Sequence, residues 1–413
     1  MRILLVTHRF GPQYQAGTEL YTAALARGFA ERGHAVRIFT GDPQAPEFAA
    51  TAWKGLPVEI APWGFGAGPA AVRTFLAGFV NPTVERHFAQ LCAAFRPEVA
   101  HVQHLMGLSP RLPQIAAQHG ARVLLTLHDF WAVCANTWLY RFDNQLCAGP
   151  GRGYHCGACA LQRLGRGPIP LLQMLAAPLF AARTLWLRQA LTQADLLLVP
   201  SQTSQRILSQ LGLPADQMRV VPSITSPEVS PRPIHTAGPV LRLLYLGSLI
   251  PPKGAHIAIA AVKALPADRV QLDVCGDPSG DADYAAQLRA QAASPNIRLH
   301  PPVPHAQVPA LLSQADLLLL PGLWHEAYSI IVDEAFAAGL PVLVADHGAA
   351  AERVIAGVNG LTAPPGDVPA WRAQLQSVLD DPNLLPRLRA GVRPPSTLPT
   401  HLDCLETLYR GSI

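Results

Sequence analysis

Two glutamates stand eight positions apart in W-H-E-A-Y-S-I-I-V-D-E-A-F-A-A-G-L-P-V-L-V-A-D, residues 324–346. Glu334 lies in an otherwise apolar run that ends at Gly339 and the strand-like P-V-L-V. The preceding D-L-L-L-L-P-G has the continuous apolar character of a buried parallel strand. The loop L-W-H-E-A-Y-S then leads into a helix expected to start near Ser329, with Tyr328 or Ser329 at its N-cap, and to stop at Gly339. The first N–H groups of such a helix lack intrahelical partners and face the positive end of the helix dipole, which makes an anion site suited to a phosphate. Glu326 lies just before that end. Glu334 lies inside the helix, where a carboxylate can accept two hydroxyls at once, as from the vicinal diol of a ribose or hexose. The plain alternative is a solvated Glu334 and a capping Glu326, and it would prevail if the pair stood alone.

Other residues suit the same chemistry. In G-S-L-I-P-P-K-G, Gly247-Ser248 ends a strand and Lys253 follows, placed to neutralise a diphosphate as a mobile point charge. T-L-H-D-F-W puts His128 at the carboxyl end of another strand, and Gly11 and Gly17 permit close backbone approach in the first loop. Four cysteines, Cys134, Cys147, Cys156 and Cys159, fall in one loop-like segment, the last two with C-x2-C spacing. Two readings stand for them: a closed tetrahedral zinc site, which would be structural because four protein ligands leave no open position, or four reduced, partly buried thiols. Disulfides are disfavoured in a chain without an export signal.

These residues need strand ends to hold them. R-I-L-L-V-T (2–7), A-V-R-I-F-T (35–40), V-A-H-V-Q-H (99–104), R-V-L-L-T-L-H (122–128) and D-L-L-L-V-P-S (195–201) alternate with helical segments. The alternation restarts with L-R-L-L-Y-L-G-S, V-Q-L-D-V-C-G-D, I-R-L-H-P-P, D-L-L-L-L-P and P-V-L-V-A-D, after a proline-rich linker at 224–240. The expected class is α/β, with two doubly wound, Rossmann-like domains of parallel strands facing across a cleft, in which ligands bind beyond the carboxyl ends of strands. The expected boundaries are 1–210, 211–392, and a C-terminal helix at 393–413 packing back on the first domain.

The chain has 413 residues, 49% hydrophobic and 15% charged, which excludes a disordered protein. Its net charge of +4 conceals a split. Residues 1–195 carry 17 Lys and Arg against 10 Asp and Glu, and residues 196–413 carry 15 against 18. A basic first half could face an anionic substrate or the inner face of a membrane. The opening M-R-I-L-L-V-T-H is too short for a signal peptide, and P-I-P-L-L-Q-M-L-A-A-P-L-F-A-A, residues 168–182, is expected to be irregular or interfacial because of its prolines. A cytoplasmic setting, peripheral to the membrane at most, is the expectation. No nucleic-acid partner is indicated. A nicotinamide-dependent oxidoreductase is excluded by G-P-Q-Y-Q-A-G, which is not a G-x-G-x-x-G fingerprint.

Taken together the motifs resemble the retaining glycosyltransferases of family 4, which have the GT-B fold. The resemblance runs over nearly the whole chain: G-T-E-L-Y-T-A-A-L-A-R-G-F-A-E-R-G-H-A-V, V-A-H-V-Q-H, T-L-H-D-F-W, L-L-V-P-S-Q-T-S, L-G-S-L-I-P-P-K-G-A-H, and above all H-E-A-Y-S-I-I-V-D-E-A-F-A-A-G-L-P-V-L-V-A-D-H-G-A-A-A-E-R-V with its E-x7-E. It implies a nucleotide-sugar donor, with Glu334 on the ribose and Glu326 near hydroxyls of the donor sugar. The amides of Ala327, Tyr328, Ser329 and Ile330 would line the sugar and diphosphate, Lys253 would bind the diphosphate, and Gly17 and Ser248 would belong to the donor-binding residues. His128 would touch the donor sugar. It also implies no catalytic metal, and an acceptor that is a saccharide or lipid-linked saccharide of surface glycan assembly. The chain departs from the family pattern at Ser248, where an arginine is usual, and at Ala16-Gly17, where two glycines are usual. A nucleotide-sugar 2-epimerase or a non-catalytic nucleotide-sugar-binding subunit would share the fold.

Overall fold

The computed structural model describes residues 1–14, 16–163, 165, 167, 169–224 and 240–411. Most of the proline-rich linker stretch, residues 225–239, lies outside the described residues. The chain forms two units, Met1–Ser226 with Thr397–Ile413, and Pro227–Ser396. Each is a Rossmann-like unit built on its own sheet.

The first sheet has eight strands: β1 Arg2–Thr7, β2 Ala35–Asp42, β3 Ala49–Trp53, β4 Leu56–Pro62, β5 Val99–Val102, β6 Arg122–Thr126, β7 Leu196–Val199 and β8 Met218–Val220, in the order β3-β4-β2-β1-β5-β6-β7-β8. The central β1 pairs in parallel with β2 and β5, Val6 standing opposite Phe39 and Val102. Ile3 to Val6 are fully buried, as an apolar run covered on both faces must be. Because β8 joins this sheet, the first unit extends past residue 210. The edge departs from the parallel plan, since β3 runs antiparallel to β4. Lys54 and Gly55 join these two strands, both at positive φ (49° and 82°), the geometry of a tight hairpin turn.

The C-terminal helix Leu398–Arg410 belongs to the first unit. Leu402, Leu405, Leu408 and Tyr409 share a core with Ile3, Leu5 and Phe29. Fully buried His101 on β5 ties this helix to the sheet, hydrogen-bonded to the Tyr409 hydroxyl (2.6 Å) and the Thr126 hydroxyl (2.7 Å).

The segment expected to be irregular is instead a helix, Pro170–Leu191. Pro170 sits in its first turn, where the missing N–H costs nothing. Pro178 inside it is exposed, so the carbonyl it leaves unbonded can meet water. By length and composition this helix could cross a membrane. Its side toward the unit packs against helix Tyr154–Arg163 with unusual closeness. At Gly153 (φ 88°) a Cβ would overlap the Ala177 carbonyl oxygen, and at Gly157 a Cβ would stand 3.1 Å from the Gln173 Cα.

The second sheet has six parallel strands: β9 Leu241–Leu246, β10 Val270–Cys275, β11 Ile297–His300, β12 Leu317–Leu320, β13 Val342–Ala345 and β14 Gly360–Ala363, in the order β11-β10-β9-β12-β13-β14. Trp371 and Tyr245 are its largest fully buried side chains.

Candidate functional site

In the second unit, β12 ends and the chain passes through Trp324–Ser329 into helix Ile330–Ala337. Ser329 is the N-cap residue, at φ 71°, a left-handed conformation that a side chain disfavours and that must be held from outside. Arg353 holds it. Its guanidinium donates to the carbonyls of Tyr328 (3.0 Å) and Ser329 (2.5 Å), pairs with the Asp333 carboxylate, and lies over the Tyr328 ring at 4.3 Å. The Tyr328 hydroxyl in turn donates to Asp333 (2.6 Å). Burial pushes the Asp333 carboxyl up, and Arg353 opposes it. This Arg353–Asp333–Tyr328 clamp aims the helix start, and none of its members was singled out from the sequence for that task.

Beside the helix start, the structure brings Lys253 and Glu326 into direct contact: the ammonium donates to Glu326 Oε1 and lies 4.9 Å over the Trp324 ring. Lys253 ends a short turn, Pro251–Lys253, and Gly254 follows at φ 73°. A Cβ on Gly254 would overlap the Pro321 carbonyl oxygen, so only glycine lets the turn close on the end of β12. Burial disfavours the ionised form of Glu326, but Lys253, together with Ser329 and Trp324, holds the carboxyl below its ordinary range. Lys253, Trp324, Glu326 and His347 line one small cavity. The His347 Nε2 lies 2.9 Å from the Gly322 carbonyl oxygen and donates to it.

Glu334 is elsewhere in this arrangement. It is buried (4% exposed) and its Oε1 is 2.8 Å from His305 Nε2. The plain reading of a solvated Glu334 is therefore excluded, and His305 is a partner that no local signal announced. Ala327, Tyr328, Ser329 and Ile330 form the turn into the helix, as their spacing suggested, while Ser248 is exposed and offers its carbonyl to the Tyr245 hydroxyl (3.2 Å).

In the first unit, Gly17 is the first residue of helix Gly17–Glu31, whose N-cap Ala16 supplies no side-chain cap. His128 stands just past β6, its Nε2 2.8 Å from Gln103 Oε1, with Tyr21 edge-on at 5.1 Å. Burial, then the neighbouring His104, push its imidazole down to about 3. It is therefore neutral at pH 7, donates Nε2–H to Gln103, and keeps Nδ1 as an acceptor. His104 engages Asp129 at 3.1 Å and packs against His8, the rings tilted by 43° with 4.3 Å between centroids.

The cysteine expectation is corrected. Cys156 and Cys159 are on helix Tyr154–Arg163, not in a loop, and the glycine between them serves helix packing rather than a turn. All four cysteines are free thiols lining one cavity. Among the described residues, no group of three or more His, Cys, Asp or Glu is arranged to hold a metal ion. Burial raises Cys134 and Cys159 and takes Cys156 up to about 12, so these are neutral thiols at pH 7.

Comparison with known proteins places these two units. Residues 16–223 match the family described as glycosyl transferase 4-like domain, and residues 233–393 match glycosyl transferases group 1. The chain belongs to this glycosyltransferase family, with the two domains in that order. It is similar to the D-inositol 3-phosphate glycosyltransferase of Thermobispora bispora, 30% identical over 51% of this chain and 54% of that one. It is also similar to a D-inositol 3-phosphate glycosyltransferase of Catenulispora acidiphila, 26% identical over 91% and 85%. A glycogen synthase of Mycobacterium tuberculosis is 34% identical over 34% of each chain. The chain thus spans from a third to about half the length of the first curated relatives it matches. Its fold matches solved GT-B structures: sucrose-phosphate synthase from Thermosynechococcus elongatus (TM-score 0.70, 19% identity, 99% and 98% covered) and Anabaena HepE in complex with UDP and glucose (TM-score 0.64, 19% identity, 100% and 99% covered).

Proposed function

We propose that the protein is a retaining glycosyltransferase that moves a sugar from a nucleotide-sugar donor to a saccharide or lipid-linked saccharide acceptor in surface glycan assembly. The observation that carries this reading is the Lys253–Glu326 pair beside a helix start held open by Arg353. An ammonium, the start of a helix and a nearby carboxylate suit a sugar diphosphate: the ammonium and the positive helix end meet the phosphates, and the carboxylate meets hydroxyls.

In the reaction the bond from the anomeric carbon to the phosphate oxygen breaks, and the acceptor oxygen bonds to the same face of that carbon. The acceptor's proton passes to the departing phosphate. Lys253 and the amides from Ala327 to Ile330 would stabilise the charge on the diphosphate. Glu334, oriented by His305, would accept hydroxyls of the nucleotide's ribose. His128, neutral and fixed by Gln103, suits a hydrogen bond to a sugar hydroxyl and not proton abstraction near pH 7, for which its basicity is too low. Nucleotide-bound neighbours such as HepE with UDP favour a nucleotide donor.

A membrane-associated acceptor, met on the cytoplasmic side, is favoured by the basic first half and by exposed Leu171, Met174 and Leu175 on helix Pro170–Leu191. Proton NMR of the product tests the reading. The new linkage should keep the donor's anomeric configuration. An inverted linkage would remove retention, and a donor epimerised at the second carbon with no product would establish the epimerase reading.

A further inference from the structure

A cavity of about 580 Å³ in the first unit is separate from the His128 cluster in what it offers a ligand. It opens beyond the carboxyl ends of the strands, with Arg9 after β1, Trp63 after β4 and Trp131 after β6 on its walls. Helix Tyr154–Arg163 and helix Pro170–Leu191 complete it through Arg163, Phe180 and Arg183. Among the described residues four arginines line it, Arg9, Arg73, Arg163 and Arg183, and no aspartate or glutamate does.

Arg183 is only 3% exposed. It lies 5.2 Å over the Trp131 ring and donates one hydrogen bond, to the Trp131 carbonyl at 3.3 Å. Among the described residues it pairs with no carboxylate; Asp129, which acts on it at longer range, is engaged by His104. Cys134 and Cys156 act on it as well, and both are neutral thiols. Arg9 lies over Trp63 at 5.1 Å, and its buried Nε has no partner. A buried guanidinium without a counter-charge is costly, and an anion in the cavity would remove that cost.

The rest of the wall is apolar, and it does not stop at the mouth. Leu179 lines the cavity while being 49% exposed, and Leu175 (69%) and Leu171 (66%) continue from it at helical spacing along the outer face of helix Pro170–Leu191. A neutral saccharide would use neither the unpaired guanidiniums nor the leucine track. We propose that this cavity binds an anionic amphiphile, a phosphate or diphosphate ester whose head sits by Arg183 and whose apolar chain follows Leu179, Leu175 and Leu171. This deepens the transferase reading, and rests on it only in making that molecule the carrier end of the acceptor.

Titration calorimetry on the full chain tests it with four probes: farnesyl diphosphate, farnesol, inorganic diphosphate and inositol phosphate. Farnesyl diphosphate should bind at least about tenfold more tightly than any of the others, because it alone meets both the guanidiniums and the apolar track. Arg183→Leu should remove most of that advantage. Should this buried change impair folding, R163E at the exposed mouth and Leu175→Glu on the track remain: the first should weaken farnesyl diphosphate and inorganic diphosphate alike, the second only farnesyl diphosphate. Equal affinity for farnesol, equal affinity for inorganic diphosphate or inositol phosphate, or no binding at all would overturn the proposal. The same samples titrated with nucleoside diphosphates report separately on the donor reading. Nucleoside diphosphate binding without farnesyl diphosphate binding would sink only the cavity proposal, and the reverse only the donor site.

Discussion

The two units differ in how they treat the polar groups around their candidate sites. In the second, acidic side chains meet partners from distant parts of the chain: Glu326 with Lys253, Asp333 with Arg353, Asp316 with Arg389, and Glu334 with the His305 ring. In the first, pairs such as His104 with Asp129 also occur, but several buried polar groups are held neutral by burial alone. His8, His101, His128 and His401 are all pushed below the ordinary imidazole range, Cys134, Cys156 and Cys159 are pushed above the ordinary thiol range, and among the described residues no carboxylate lines the large cavity beside its arginines. Paired charges give a rigid site that is already built before a ligand enters. Unpaired guanidiniums give a site that is complete only when an anion arrives.

The contrast is broken most severely at Arg353. Arg353→Ala leaves Asp333 buried and uncompensated, which should cost about 3–5 kcal/mol of stability, and it also releases the left-handed turn at Ser329. Calorimetric unfolding and nucleoside diphosphate titration should both show the loss. Arg353→Lys should recover little, because an ammonium cannot serve the two carbonyls and the carboxylate together. An Arg353→Ala protein with wild-type melting and binding would show that the clamp has no role.

Glu334→Ala comes next. It removes charge-assisted bonds worth roughly 1.5–3 kcal/mol each, so donor affinity or turnover should fall at least about tenfold. His305→Ala should give a smaller loss in the same direction, since it disorients the carboxylate without removing it. Unchanged kinetics in a folded Glu334→Ala protein would remove the ribose assignment.

The first unit is better tested with pH. The unfolded chain takes up histidine protons as pH falls through about 6.5. The folded unit resists until about 4 at His401 and about 3 at His101 and His128. The stability these buried neutral rings confer is therefore complete above about 6.5 and is lost as pH falls from there toward 4. Each such histidine contributes up to roughly 1.4 kcal/mol per pH unit in that window. Glu326, held low by Lys253, keeps its contribution until pH falls through the carboxylate range. Hydrogen exchange at pH 7 and pH 5, corrected for intrinsic rates, should show β1, β5 and β6 losing more protection than β9, β12 and β13, whose unit holds His256 as a histidine lowered by burial. Equal loss in both sheets would erase the contrast.

The smallest effect is expected at His128. His128→Ala should bind nucleoside diphosphate nearly as the wild type does but transfer sugar more slowly. Equal losses of nucleotide affinity and melting temperature would point to packing alone.

What could be read from the sequence follows from the range of the interactions involved. Long apolar runs such as Ile3–Val6 and Leu317–Leu320 announced buried strands, and the helix after Ser329 followed from local pattern. Lys253 and Glu326 were recognisable as separate candidates, although their direct pairing was not. β3 and β4 carry a weak strand signal because alanine and proline interrupt their alternation, and Lys54-Gly55 is the local sign of the hairpin between them. Proline content misdirected the reading of Pro170–Leu191, where one proline is in the first turn and the other faces solvent. Arg353 reaches back to carbonyls at 328 and 329, and His305 reaches forward to 334. No local pattern encodes such contacts, because they exist only once the sheet brings the loops together. The cysteine spacing suggested a metal, but two of the four thiols are carried on a helix that faces the cavity.

The most direct test is release of free nucleoside diphosphate from UDP-, GDP-, ADP- and dTDP-sugars, measured with and without a saccharide or lipid-linked saccharide acceptor, in the wild type and in Lys253→Ala. At least one donor should release its nucleoside diphosphate in step with sugar appearing on the acceptor. Lys253→Ala should slow that release by at least about tenfold, through the loss of a charge-assisted bond to the diphosphate. Release from no donor, or release that neither an acceptor nor the Lys253→Ala change affects, would contradict a sugar transferase working through this site.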